Sequence, residues 1–175
     1  MSENSTAPAA PVYVLGRRSK QRLADCHPVL ADVVAEALSV SPIDFTVLET
    51  LRTEKRQRHM VRQGKSWTKN SRHLGRVPKH APELGPIAHA VDLGAWIDDT
   101  INWDWDHYFD IADAMKAAAE KHNIRIKWGG CWDYLDQYDN AKQARQMYID
   151  RKKEAGEKPL SDGPHFELCW KEFPV

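Results

Sequence analysis

Apolar positions recur along this chain in two rhythms, and the change of rhythm marks its elements. From Ser19 to about Val40 the residues Leu23, Cys26, Leu30, Val33, Val34 and Leu38 follow helical spacing. This predicts a helix with Ser19 as N-cap and with Pro28 as a point where the run can break in two. Phe45 to Leu48 is short, apolar and β-branched and predicts a strand. Thr53 to Gln63 is charged and suits a surface helix stopped by Gly64. Residues 64–87 contain Gly64, Gly75, Pro78, Pro82, Gly85 and Pro86 and predict a loop. It is long for a compact domain, and such loops tend to carry function. Ala88–Leu93 predicts a strand, and Asp104–His122, with Ile111, Met115 and Ala118 on one face, predicts a helix. A short strand over Ile124–Lys127 leads into Gly129-Gly130, residues 139–154 form a polar helix or ordered excursion, and Pro164–Trp170 reads as a final strand. Short strands interleaved with helices point to an α+β fold, a small and mostly antiparallel sheet packed with helices, over a doubly wound parallel one. Residues 1–11, MSENSTAPAAP, read as a flexible tail, leaving 12–175 as one domain.

Composition narrows the partners. The 175 residues balance 25 Lys+Arg against 25 Asp+Glu, so no charge surplus argues for nucleic acid. No apolar run approaches the ~20 residues that span a bilayer, so no stable membrane association is expected. The first residues lack a basic stretch followed by an apolar one, which predicts a cytoplasmic product not exported by a secretory signal. Cys26, Cys131 and Cys169 form no CxxC pair and read as buried free thiols. The seven tryptophans all lie beyond residue 66, and composition does not divide them between core and groove. Asp98-Asp99 reads as a polar turn and Arg151-Lys152-Lys153-Glu154 as a solvated helix face.

Three segments concentrate candidate chemistry: Ser71-Arg72-His73, His89-Ala90-Val91-Asp92-Leu93 and Asp162-Gly163-Pro164-His165-Phe166-Glu167-Leu168. A catalytic zinc takes three ligands from His and Asp/Glu and keeps one position open. Asp92 stands in an apolar run, where a carboxylate is costly unless paired or metal-bound. Among eight histidines and 25 acids some such grouping arises by chance, so spacing alone does not establish a metal site. By residue type alone Arg52 is a surface cation at a helix start.

Taken in order, these segments resemble a metallopeptidase group, that of the bacterial D,D-carboxypeptidases and dipeptidases of the VanY/VanX type. The likeness is closest to bacteriophage endolysins of the L-alanyl-D-glutamate peptidase kind. It rests on Ser71-Arg72-His73 with Ala90-Val91-Asp92, on Asp162-Gly163-Pro164-His165, on Leu51-Arg52-Thr53 with Gln57, on Trp128-Gly129-Gly130-x-Trp132 and on the closing His165-Phe166-Glu167. Together they run from about residue 15 to residue 170. The resemblance implies a zinc site in a central groove, with His73, Asp92 and His165 as ligands and Asp162 as the general base. It implies Arg52 as the group that binds the substrate carbonyl and the developing oxyanion, Gln57 as support of the Arg52 region within the substrate-binding set, and Ser71 as a motif residue beside the site. It departs from the family in one place: 18 residues lie between His73 and Asp92, where about six are usual, so an insertion around Arg76–Pro86 lengthens the loop at little entropic cost. His80 and His89 fall in the same window; the Ser-Arg-His-Leu context favours His73. The insertion is expected to lie beside the ligands.

The implied activity is zinc-dependent hydrolysis of the L-alanyl-D-glutamate bond in peptidoglycan stem peptides, by a phage endolysin that lyses the host. The expected protein is a monomer held in the host cytoplasm until a holin-type pore releases it to the periplasm and wall. Two alternatives stay open at this point: a D,D-carboxypeptidase or D,D-dipeptidase sharing the same metal and base, and a non-catalytic peptidoglycan-binding module.

Overall fold

The computed structural model describes residues 11–175; residues 1–10 of the expected tail lie outside the described residues. The chain begins with helices α1 (Arg17–Leu23) and α2 (Pro28–Val40). Pro28 does divide the predicted run. It opens α2, where a missing N–H costs nothing, and the His27 ring accepts from Val29 N at 3.3 Å as the cap. Ser19 is not an N-cap, because α1 starts two residues earlier, at Arg17, with Gly16 in the cap position. Its hydroxyl instead receives Val47 N at 3.1 Å and meets Thr46 Oγ1 at 3.0 Å, tying α1 to the first strand.

Strand β1 (Phe45–Glu49) and helix α3 (Glu54–Arg62) follow, with Thr53 capping Arg56 N. Then come the hairpin β2 (Ala90–Ile97) and β3 (Thr100–Asn102), helix α4 (Trp105–Lys121), strands β4 (Ile126–Trp128) and β5 (Asp133–Tyr134), helix α5 (Ala141–Glu154) and strand β6 (His165–Leu168). The expected α+β class holds. β3 escaped the sequence reading because it has three residues and no apolar alternation of its own. Asp98 and Asp99, at φ 50° and 59°, make the two-residue turn that returns it onto β2.

The strands join in the order β1-β2-β6-β4-β5, with β3 also on β2, and every ladder is antiparallel. Alternation gives the sheet two unlike faces. Val91, Leu93 and Ala95 of β2, Phe166 and Leu168 of β6, and Ile126 and Trp128 of β4 enter the core. That face is covered by α2, through Leu30, Val33, Val34, Ala37 and Leu38, and by α4, through Ile111, Ala112, Met115, Ala118 and Ala119. Each fully buried Leu, Ile, Val or Met contributes about 1.5–3 kcal/mol by leaving water. The intervening residues Asp92, His165, Glu167 and Lys127 are thereby turned to the other face.

The stretch expected to be an insertion is pinned at its base. Arg76 N donates to Ile87 O at 3.0 Å and Ile87 N to Arg76 O at 3.1 Å, closing residues 77–86 into a side loop with a short 3-10 turn at Pro82–Leu84. All three cysteines are buried and free, and burial pushes the Cys26 thiol up to about 12 and that of Cys131 to about 11.

Candidate metal centre

Two strand-borne residues open the site. Asp92 and His165 are register partners on β2 and β6 and share the polar face of the sheet. His73 arrives from the long loop, whose 71–74 segment is stitched between two neighbours. Arg52 N donates to His73 O and His89 N to Arg72 O, each at 2.8 Å. Ser71 Oγ accepts His73 N at 3.2 Å and shapes the turn before the histidine. Three atoms converge: His73 Nε2 and Asp92 Oδ1 are 3.1 Å apart, His165 Nδ1 and Asp92 Oδ1 3.1 Å, and the two ring nitrogens 3.2 Å. Donors at zinc–ligand distances around a tetrahedral ion sit about 3.3 Å apart.

The far side of each ring settles its tautomer. His73 Nδ1 lies 2.7 Å from Thr50 O and donates to it; His165 Nε2 lies 3.0 Å from Glu167 Oε2 and donates to it. Both inner nitrogens are left with lone pairs aimed at one point, beside a carboxylate. Two lone pairs at 3.2 Å repel unless a proton or a metal cation lies between them. This outward hydrogen bonding is what fixes imidazoles as metal ligands. The charges agree. Burial works against the ionised Asp92, yet His73 and His165 hold its carboxyl far below the usual range. Burial works against a charged His165, yet Asp92 and Glu167 raise it to about 10, so with no ion bound a proton takes the place of the cation on its inner nitrogen. The centre attracts a cation, and its N, N, O donor set and burial suit zinc.

Arg52 stands next to Asp92, with Nη2 3.5 Å from Oδ2. It is buried, not a surface cation. Glu49 takes its Nε at 3.1 Å and its Nη2 at 2.5 Å, while Gln57 Oε1 takes Nη1 at 2.7 Å. Gln57 lies beneath Arg52, and its own amide is spent on Ser66 Oγ at 2.8 Å and Thr68 O at 2.5 Å. That position is one of support; Gln57 does not line the groove. Glu49 reaches the site through a β-bulge: the pairing shifts between Val47 and Glu49, turning Glu49 from the core face to the face of Asp92.

Asp162 is held by the Trp-Gly-Gly segment. Asp162 N donates to Gly129 O at 3.2 Å, Gly129 N to His165 O at 2.8 Å, and Trp128 Nε1 to Gly163 O at 2.7 Å. A Cβ on Gly129 would lie 2.4 Å from Asp162 O, so only glycine permits this approach. Burial and the nearby Asp92 raise the Asp162 carboxyl, against the lowering influence of His165, His73 and Arg52. A carboxyl so tuned moves toward the range useful for general base work.

The centre lies in a groove of about 540 Å³ walled by Arg52, Ser71, Asp162, Trp67 and Trp132. No residue of the 76–86 insertion lines it, contrary to expectation, because the Arg76–Ile87 pairing turns those residues away. The 65–71 part of the same loop forms the wall instead. Sequence reasoning passed over Glu49, and quoted Glu167 and Trp132 as motif residues without a role at the metal; the Trp132 ring lies 5.4 Å from that of His165. Glu167 was recoverable, since a residue two past a strand ligand shares its face. Glu49 was not, because its orientation depends on the bulge.

Comparisons with known proteins give the chain its family. A family model described as phage L-alanyl-D-glutamate peptidase matches residues 12–169. The chain is similar to the L-alanyl-D-glutamate peptidase of Escherichia phage T5, 25% identical over 127 residues that cover 72% of this chain and 86% of that one. It is also similar in structure to the Serratia marcescens L-Ala D-Glu endopeptidase ChiX, with a TM-score of 0.68 and 33% identity over 97% of this chain and 100% of that chain.

Proposed function

The chain belongs to the phage L-alanyl-D-glutamate peptidase family, and from that premise we propose that it is a zinc-dependent endopeptidase cutting the L-alanyl-D-glutamate bond of peptidoglycan stem peptides. One observation carries the reading: three donor atoms 3.1–3.2 Å apart, on two rings whose outer nitrogens are committed to Thr50 and Glu167. His73, Asp92 and His165 hold the ion. When bound, zinc supplies Lewis acidity, acidifying water and polarising the scissile carbonyl.

The chain's own residues do the rest. Asp162 takes a proton from the attacking water and returns it to the amine of D-glutamate as the C–N bond breaks. Arg52 holds the carbonyl oxygen as it gains negative charge. Glu49 and Gln57 occupy the rest of its guanidinium fork, so Arg52 needs no reorganisation at the moment of reaction. Ser71 fixes the backbone that presents His73 and edges the groove. In this reading residues 12–175 act as one catalytic domain, a single copy suffices, and the chain reaches the wall from the host cytoplasm through a holin-type pore. No helix among the described residues is long and apolar enough to cross a membrane.

The test is digestion of intact Gram-negative peptidoglycan followed by mass spectrometry, with the protein as purified, after chelation and after zinc is restored. New peptides beginning at D-glutamate, lost on chelation and regained with zinc, are the expected result. Release of terminal D-alanine would replace this bond assignment with D,D-carboxypeptidase activity. In parallel, Asp162→Ala should abolish hydrolysis while retaining one zinc per chain; full activity in that variant would remove Asp162 as the base.

A further inference from the structure

Beside the metal groove lies a second, larger cavity of about 670 Å³ that has no part in the hydrolytic machinery. The two are adjacent, because Trp67, Trp132 and Leu160 line both. Their charges differ. The metal groove balances Arg52, Lys65, Arg72 and Lys127 against Glu49, Asp92, Asp162 and Glu167. Of these, Arg52–Glu49, Arg52–Asp92 and Lys127–Glu167 are already paired at 4 Å or less. The second cavity sets Arg151, Lys152 and Lys158 against Glu157 alone, and Glu157 is bound to Lys152. The last turn of α5 accounts for some of this charge, since cations suit a helix C-terminus. Lys158 lies beyond that helix, exposed, on the segment leading to Asp162. The rim carries Trp67, a tryptophan 79% exposed on the same loop that delivers His73.

We propose that this cavity is a second substrate subsite, which receives the acidic part of the stem peptide on the D-glutamate side of the cut bond. Resting on the peptidase reading, it takes an acidic peptide of two or more residues as ligand. D-Glutamate supplies a carboxylate next to the scissile bond, and each further acidic residue carries another away from the balanced groove toward the surplus cations. Trp132 and Leu160 form the floor the peptide crosses. Trp67 covers it from the loop side, with an apolar face whose burial on binding removes exposed surface from water.

The experiment compares two soluble substrates with the zinc-loaded protein. One ends in an amide at D-glutamate; the other continues through a second acidic residue. Wild type should show a lower KM for the longer peptide, and this advantage should shrink with added salt. Lys158→Glu should raise KM for the long acidic peptide about five-fold, in line with an exposed ion pair lost and a repulsion gained, with kcat unchanged. Its KM for the short amide should stay as in wild type. Trp67→Ala should raise KM for the long peptide as well. Calorimetry with the acidic product peptide reads the same subsite without turnover, and Lys158→Glu should weaken that binding by the same factor. Equal KM values for both substrates in wild type, or no change in KM or product binding in Lys158→Glu, would overturn the subsite while leaving the peptidase intact. Product binding that responds to Lys158→Glu, with no hydrolysis of either substrate, would overturn the peptidase reading and keep the cavity as an acidic-peptide site.

Discussion

Replacing Gly129 by alanine should damage catalysis more than its single added methyl suggests. The new Cβ would meet Asp162 O at 2.4 Å, Asp162 Cβ at 3.0 Å and His165 Cβ at 3.1 Å, where ordinary contact begins at 3.4 Å. The atoms in the way are backbone and Cβ, so no side-chain tip can swing aside. The 162–165 segment must retreat by about 1 Å, the difference between the clash and an ordinary contact. That retreat carries the general base and one metal ligand together. It also stretches the Gly129 N–His165 O and Asp162 N–Gly129 O hydrogen bonds, each with a net value of about 0.5–1.5 kcal/mol. Added to about 1–3 kcal/mol for overpacking, the total of about 2–6 kcal/mol should lower Tm by roughly 4–24 °C, at about 2–4 °C per kcal/mol for a protein of this size. A displacement of about 1 Å in a catalytic constellation costs on the order of 10²-fold in rate. The assay is kcat on a soluble L-alanyl-D-glutamate peptide with saturating zinc, alongside thermal unfolding. Gly16→Ala, at a site with no atom within 4 Å of the new Cβ, is the control that keeps wild-type kcat. A Gly129→Ala protein with wild-type kcat would refute the claim that this glycine sets the position of Asp162 and His165.

Other consequences are as direct. Glu167→Gln can still accept from His165 Nε2 but loses the charge; zinc affinity, measured by competition with a chromophoric chelator, should fall about 10–100-fold, and unchanged affinity would remove Glu167 from the centre's support. Replacing residues 77–86 by Asn-Gly should keep zinc binding and hydrolysis, because Arg76 and Ile87 already pair as the ends of a hairpin. The stability loss should be about 1 kcal/mol for the broken Lys79 N–Pro174 O bond, and loss of the metal would show that the insertion shapes the site. His89 is buried beside Arg72 and His27, and burial first, then those charges, lower its pKa to about 4. The unfolded chain therefore takes up this proton before the folded one does. Stability from this group is complete above about pH 6.5 and is lost as pH falls toward 4. Wild type should show a Tm decline over that window that His89→Asn reduces; an identical decline in both would refute the assignment.

Much of the architecture was readable in the residues because it depends on local rules. The α2 stripe, the Thr53 cap, the Pro28 break and the strands bearing Asp92 and His165 follow from periodicity and from what proline and threonine do at helix starts. The candidate ligands were readable too, but through ordered motifs and not through spacing, since His73 and Asp92 stand 18 residues apart and His165 far beyond both. Ser19 misled because a serine before an apolar run is an equally good cap and tether, and its partner Thr46 belongs to another element.

What lay beyond the linear pattern shares one physical cause. Glu49 points at Arg52 because a bulge reverses the side on which β1 presents it, and a bulge is a property of two paired strands. The insertion leaves the groove alone because Arg76 and Ile87 meet across it. Gln57 lies off the groove and accepts from Arg52 because the two meet across the turn into α3. The two cavities adjoin where the loop of Trp67, the turn of Trp132 and the segment of Leu160 come together. Which residues could act was written in their types and order. Where each side chain points, and which charge remains unpaired, depended on contacts between segments distant in the chain, whose energies no local window contains.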